Sequence, residues 1–181
     1  MRYHACITRS IIIIYFVCQA FVGLAQFKPE KVNWTADGTG LYEIQDNMLL
    51  RINPLSAQQV TVLATAAQLT PQGNDKPLKI ADFEISTDDN ILLIFTNTAK
   101  VWRYNTRGDY WLLNRGTGQL KQIGKDKPAQ SLMYAKLSPD GKKVGYVSDR
   151  NIYAEDIASG ETIALTTDGN RQLINGSFDW V

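Results

Sequence analysis

The side chains that most often carry catalysis are scarce in this 181-residue chain and crowded at one end: the only histidine is His4, and the only cysteines are Cys6 and Cys18. From residue 26 onward there is thus no Cys–His pair or Ser–His–Asp triad for acyl transfer, and no Cys/His set for zinc. Neither a G-x-S-x-G elbow, a G-x-x-x-x-G-K phosphate loop nor an H-E-x-x-H helix motif occurs. Paired carboxylates remain, with Asp88-Asp89 the obvious candidate for acid–base work. Adjacent aspartates between apolar runs more often accept from nearby backbone N–H groups, so a turn is the preferred reading. Arg107-Gly108-Asp109 spells an adhesion-like tripeptide that reads better as a turn before Tyr110. Asn33-Trp34-Thr35 and Asn175-Gly176-Ser177 fit the N-glycosylation pattern.

The histidine and cysteines belong to a leading segment with the layout of a signal peptide. Arg2 and Arg9 precede an apolar run from Ile11 to Cys18, which resumes after Gln19, and Gly23 and Ala25 are small residues before an expected cut at Ala25/Gln26. An uncleaved anchor is the alternative, although the run is shorter and more interrupted than the ~20 residues that span a bilayer. Lipidation at Cys18 fits less well, because bulky Tyr15, Phe16 and Val17 precede it. Both main readings place residues 26–181 outside the cytoplasm, periplasmic or secreted. That body holds 156 residues, 17 basic and 18 acidic, so its net charge is near −1. The signs alternate through segments such as Lys121–Lys127, which excludes the concentrated basic surface of a nucleic-acid binder. An exported body without cysteine has no disulfide framework and relies on packing and hydrogen bonds.

The elements that must position any functional side chain are short strands separated by Gly, Asn, Asp and Pro turns. The first group covers 41–44, 48–52 and 60–64. A second covers 80–85, 91–96, 110–114 and 119–123, with a longer loop between 96 and 110. The third covers 134–137, 143–148, 151–156 and 161–165. Residues 65–77 read as a connector. The phrases W-T-A-D-G from Trp34, I-S-T-D-D from Ile85 and L-S-P-D-G from Leu137 start 51 and 52 residues apart. A period near 50 signals repeated four-stranded sheets that bury their faces on one another, as propeller blades do. Trp34, Phe83 and Tyr146 are the expected contacts between sheets. An immunoglobulin-like sandwich is the alternative, which the repeated phrase disfavours. The expected fold is all-β: about three four-stranded blades of an incomplete β-propeller.

The phrases F-E-I-S-T-D-D-N-I-L-L-I-F at 83–95, K-V-W-R-Y at 100–104, L-S-P-D-G-K-K-V-G-Y-V at 137–147 and N-I-Y at 151–153 resemble the N-terminal propeller region of the dipeptidyl peptidase IV family, serine peptidases of the prolyl oligopeptidase type. Ile174-Asn175-Gly176 with Phe178-Asp179-Trp180-Val181 adds to the likeness, which covers most of residues 32–181. The resemblance implies an eight-bladed propeller in the full-length family, cut short in this chain, and a separate α/β-hydrolase domain whose Ser-Asp-His triad is absent here. It implies that Arg103, matching the arginine of the family's W-R phrase, holds the substrate backbone near a carbonyl oxygen beside a glutamate pair expected beyond Val181. A guanidinium suits this task, because its rigid, always charged fork can address a carbonyl and a carboxylate together. A solvated or structural role is the alternative for Arg103. Trp102 would position the arginine through its ring, or serve as an ordinary core or rim residue.

The implied function is therefore substrate access and recognition of a peptide N terminus within an exported serine-type dipeptidyl peptidase, without cofactor, metal or nucleic acid; a homodimer of the parent is compatible with it. A non-enzymatic exported propeller that binds partners or serves as a scaffold is the alternative. Three blades would leave sheet faces and edges uncovered, so an isolated body is expected to be marginal or oligomeric. Purified residues 26–181 should not hydrolyse a Gly-Pro or Ala-Pro reporter; detectable cleavage would overturn that reading.

Overall fold

The computed structural model describes residues 33–177. The leader 1–25 with its Ala25/Gln26 junction, and the Phe178–Val181 phrase, lie outside the described residues. Twelve strands and no helix occur among the described residues. The first unit is β1 (Asn33–Trp34), β2 (Leu41–Gln45), β3 (Met48–Asn53) and β4 (Ser56–Ala64), an antiparallel meander in chain order. The second is β5 (Asp82–Ile85), β6 (Ile91–Val101), β7 (Tyr104–Asn114) and β8 (Gln119–Ile123). The third is β9 (Leu132–Leu137), β10 (Lys143–Ser148), β11 (Asn151–Asp156) and β12 (Thr162–Ala164). This is the expected all-β organisation. One join was not expected: β9 pairs with β7 at Arg107↔Met133 and Gly108↔Leu132, so the second and third units share one hydrogen-bonded network. The reason is local. β8 pairs with β7 only over Tyr110–Asn114, which leaves the earlier edge of β7 free to accept another strand.

Alternation along β6 decides how the units stack. Ile91 and Leu93 face one way and join Tyr110, Leu112, Ile123, Leu132, Val144 and Tyr146 in a core shared by the second and third units. Leu92 and Ile94 face the other way, packing with Leu113 against Leu49, Leu63 and Ala64 of the first unit. The middle sheet is thus buried on both faces, which is why residues 91–94 read as a continuous apolar run rather than an alternating one. Burying each of these aliphatic chains contributes roughly 1.5–3 kcal/mol.

The expected aromatic contacts hold in two of three places. Phe83 packs against the core of the first two units and Tyr146 is 1% exposed in the other core. Trp34 is instead 57% exposed. It sits on the two-residue edge strand β1, and the aromatic contact across that seam comes from Tyr42, whose ring meets Phe83 edge-on at 5.7 Å. The 65–77 connector also contributes to the core, since Leu69 is completely buried. A reciprocal pair holds its turn: Gln68 N–H donates to Thr65 Oγ1 and Thr65 N–H to Gln68 Oε1, the arrangement of a helix capping box without a helix. Arg115, in a segment read only as a turn, ties the first two units together by donating to the carbonyls of Leu63 and Asp89.

The repeated phrase folds the same way three times. Thr35, Ser86 and Ser138 donate their hydroxyls to Asp37, Asp88 and Asp140 at 2.5, 2.6 and 2.6 Å. The same hydroxyls accept from the backbone N–H of Gly40, Ile91 and Lys143. Asp88 also accepts from the N–H and the amide of Asn90, which confirms a turn rather than a catalytic dyad. The following position takes positive φ: +68° at Gly38, +59° at Asp89 and +66° at Gly141. Glycine meets that demand without a Cβ clash, and aspartate tolerates it better than most residues. The hydroxyl and amide donors favour the ionised carboxylates. They hold Asp37 and Asp140 below the usual 3.8, and Asp88 at about 2. A carboxyl with a depressed folded pKa contributes stability above its unfolded value, and that contribution is lost as pH falls through the folded value. Thermal unfolding followed from about pH 5 down to about pH 2 should show an acid-destabilised limb that the combined D37N, D88N and D140N changes flatten. An unaltered limb in that variant would show that these turns do not carry it.

Candidate functional site

Arg103 and Trp102 were expected on a loop between 96 and 110. They lie instead at the tip of a long hairpin, because β6 runs on to Val101 and β7 starts at Tyr104. Val101 pairs with Tyr104, so Trp102-Arg103 is a two-residue turn. Such hairpin turns call for positive φ at the first position, and Trp102 adopts +56°. A bulky residue in that region is strained by about 1–3 kcal/mol. The Arg103 guanidinium lies 4.5 Å from the centre of the Trp102 ring, a cation–π contact that holds the cation at the apex. Trp102 and Tyr104 are 68% and 73% exposed, Arg103 is exposed, and the arginine has no ion-pair partner among the described residues. The pair therefore stands together at the exposed apex of the hairpin.

The base of the hairpin is built from residues that the sequence left unassigned. β5 pairs with β6 only up to Phe95, and β8 with β7 only from Tyr110 on, so the outer hairpin extends past its own sheet. A register shift between Thr96 and Ala99 bends it there. At this bend Asp109, 7% exposed, accepts from Asn97 Nδ2 and from the Gln130 backbone N–H, both at 2.7 Å. Gln130 Nε2 closes the triangle by donating to Asn97 Oδ1 at 3.0 Å. The adhesion-like tripeptide is thus part of strand β7, not a turn, and its carboxylate is committed to the interior. Gly108 is needed for space: a Cβ there would lie 2.4 Å from Phe95 Cε2 and 2.7 Å from the Thr96 carbonyl oxygen. A signal for the longer strands was present in Thr98, Val101, Trp102, Tyr104 and Thr106, β-favouring types hidden by the lack of alternation.

Below the hairpin a cleft of about 230 Å³ opens between β5–β6 and β9, lined in part by Asn105 and Thr106 of the hairpin itself. Its aromatic wall includes Phe95 stacked on Tyr110 at 4.7 Å. Burial pushes the Tyr110 phenol up to about 12, so it stays neutral. The buried Glu155 belongs elsewhere. It accepts from Gly124 N–H at 2.8 Å across the seam of the second and third units, and burial raises its pKa. Both glycosylation patterns serve the fold: the Thr35 hydroxyl is buried in its turn, and Asn175 donates to Asp168. No group of three or more His, Cys, Asp or Glu side chains that could hold a metal ion occurs among the described residues.

Three four-stranded antiparallel units stacked face to face, with one hairpin carrying an arginine out of the middle unit, define a β-propeller module. Residues 86–181, more than half the chain, match the dipeptidyl peptidase IV (DPP IV) N-terminal region, and the chain belongs to that family. It is 35% identical over 109 residues to dipeptidyl aminopeptidase B of Saccharomyces cerevisiae, an alignment covering 60% of this chain and 13% of the yeast protein. It is 24% identical over 160 residues to human prolyl endopeptidase FAP, covering 88% of this chain and 20% of that protein. In fold it is similar to the crystal structure of Porphyromonas gingivalis dipeptidyl peptidase 4, with a TM-score of 0.67, 22% identity, and coverage of 78% of this chain and 20% of that one. The chain thus spans only a fifth or less of these proteins.

Replacing Asp109 with Ala strands the Gln130 N–H and the Asn97 amide, and should cost about 1–3 kcal/mol. The effect should concentrate in the hairpin, with amide hydrogen exchange of residues 99–107 accelerating more than that of the β10–β11 pair. Uniform acceleration across both would show that Asp109 stabilises the fold without bracing the hairpin.

Proposed function

We propose that this chain is the N-terminal propeller part of an exported serine-type dipeptidyl peptidase, in which Arg103 holds the backbone of a bound peptide close to its N terminus. The observation that carries this reading is the hairpin. Twenty-two strand residues and a strained two-residue turn present one guanidinium, with no acidic partner among the described residues, beyond the edge of its sheet. A structural arginine would sit as Arg115 does, wrapped around main-chain carbonyls. Membership of the DPP IV N-terminal family and likeness to dipeptidyl aminopeptidases support the peptidase assignment. The apolar leader 1–25 supports export.

The bond-breaking groups are supplied by a hydrolase domain. This chain's own part is to bind and orient: the guanidinium donates to a peptide carbonyl oxygen, and the Trp102 face limits where the cation can go. The test is a chimera in which residues 33–181 replace the matching segment of a dipeptidyl aminopeptidase. In that chimera R103A should lower kcat/KM for a Gly-Pro reporter by about 10- to 100-fold, the loss of one or two charge-assisted hydrogen bonds. R103K should recover only part of this, since an ammonium lacks the planar fork. An R103A chimera with unchanged kcat/KM would refute the role of Arg103. A folded chimera without activity would favour the binding or scaffold alternative.

A further inference from the structure

The cleft between β5–β6 and β9 contains a carboxylate whose present partnership is incomplete. Glu84 Oε2 is sealed from solvent and accepts no hydrogen bond among the described residues. Its one ionic neighbour among the described residues is Lys136 Nζ, at 3.4 Å and outside hydrogen-bonding geometry. A buried carboxylate oxygen without a donor is costly, and native proteins rarely leave one without a use. Lys136 is poorly suited to supply that donor permanently, because its side chain is 75% exposed and pulled toward water, whereas that of Glu84 is 32% exposed. The ammonium therefore marks the kind of group the carboxylate is placed to receive, while holding it loosely.

The walls point to the same chemistry. Phe95 and Tyr110 line the cleft as a stacked pair, and Tyr134 lines it from β9. Tyr134 takes φ +54° within a strand, where a bulky residue is strained, and the residue remains 43% exposed. Asp82 also lines the cleft, with its Oδ1 accepting from the Phe83 N–H. Aromatic walls beside a carboxylate suit a cation on an apolar stem, because the ring faces are negative and the stem is covered by the walls. A neutral apolar ligand would leave Glu84 Oε2 without a donor, and an anion would be repelled.

We propose that this cleft, lined by Phe95, Tyr110 and Tyr134, binds the guanidinium or ammonium end of a basic side chain, which displaces Lys136 and completes the hydrogen bonding of Glu84. The site is separate from the hairpin tip and does not depend on the role assigned to Arg103. The occupant is a Lys- or Arg-bearing peptide segment, with arginine favoured because its fork can donate twice to one carboxylate and stack flat on a ring.

The full 181-residue chain is titrated with N-acetyl-arginine amide and, separately, with N-acetyl-norleucine amide, following the backbone amide shifts of Glu84, Phe95 and Tyr134. The arginine probe should give saturable shifts at these positions and the neutral probe should not. E84Q should weaken binding by at least tenfold, K136M should tighten it several-fold by removing the resident competitor, and R103A should leave it unchanged. Equal response to both probes, no saturation with the arginine probe, or loss of binding in K136M comparable to that in E84Q would overturn the proposal. Should E84Q fail to reach the parent's unfolding temperature, the tightening in K136M decides the matter alone, since that change removes an exposed side chain.

Discussion

The structure depends on one strand being buried on both sides. Ile91 and Leu93 on one face of β6, and Leu92 and Ile94 on the other, face two separate cores. The middle sheet can be satisfied only by a neighbour on each face, and the first and third units are those neighbours. The same strand continues outward as one arm of the Arg103 hairpin. The element that bears the proposed recognition group is therefore anchored in both cores. That placement gives a solvent-exposed tip a fixed origin, which a loop between separate strands would lack.

Around this strand, polar groups do different work at different depths. At the sheet ends, three Ser/Thr-x-Asp turns use exposed carboxylates to hold local backbone donors. At the hairpin base, Asp109 is nearly buried and joins two parts of the chain far apart in sequence. Arg115 and Glu155 stitch the seams between units in a similar way, each through main-chain groups. Glu84 is the exception. It faces a cleft, and among the described residues its ionic neighbour is an exposed lysine. The contrast sets Glu84 apart from the turn, hairpin-base and seam groups, whose polar atoms are committed to the backbone or to each other.

Much of the fold was legible because its signals are local. The strands at 119–123, 143–148 and 151–156 lie where alternation and turn residues put them. The turns after Trp34, Ile85 and Leu137 follow from hydroxyl, aspartate and a residue able to take positive φ at fixed spacing. The structure departs from the local pattern where contacts between units override it. Trp34 was expected inside and is outside, because a two-residue edge strand cannot carry its ring into the seam that Tyr42 occupies. Leu69 lay in what looked like a polar connector, and only the packing of the first two units shows that it is core. The hairpin was hidden for another reason: both of its faces are largely solvated, so no apolar alternation marked residues 97–109 as strand.

By itself the sequence determined that this protein is all-β, built on a repeat of about 50 residues, free of cysteine and histidine beyond residue 18, and marked by a Trp-Arg pair within a family-like phrase. These properties reside in residue types and short-range spacing, which need no knowledge of what packs on what. Only the tertiary structure decided that the pair crowns a hairpin, that Asp109 joins Asn97 to Gln130 at its base, and that Glu84, Lys136 and Tyr134 line one cleft. Those groups belong to strands up to 52 residues apart, and their proximity exists only once the Ile91–Ile94 strand has drawn a sheet onto each of its faces.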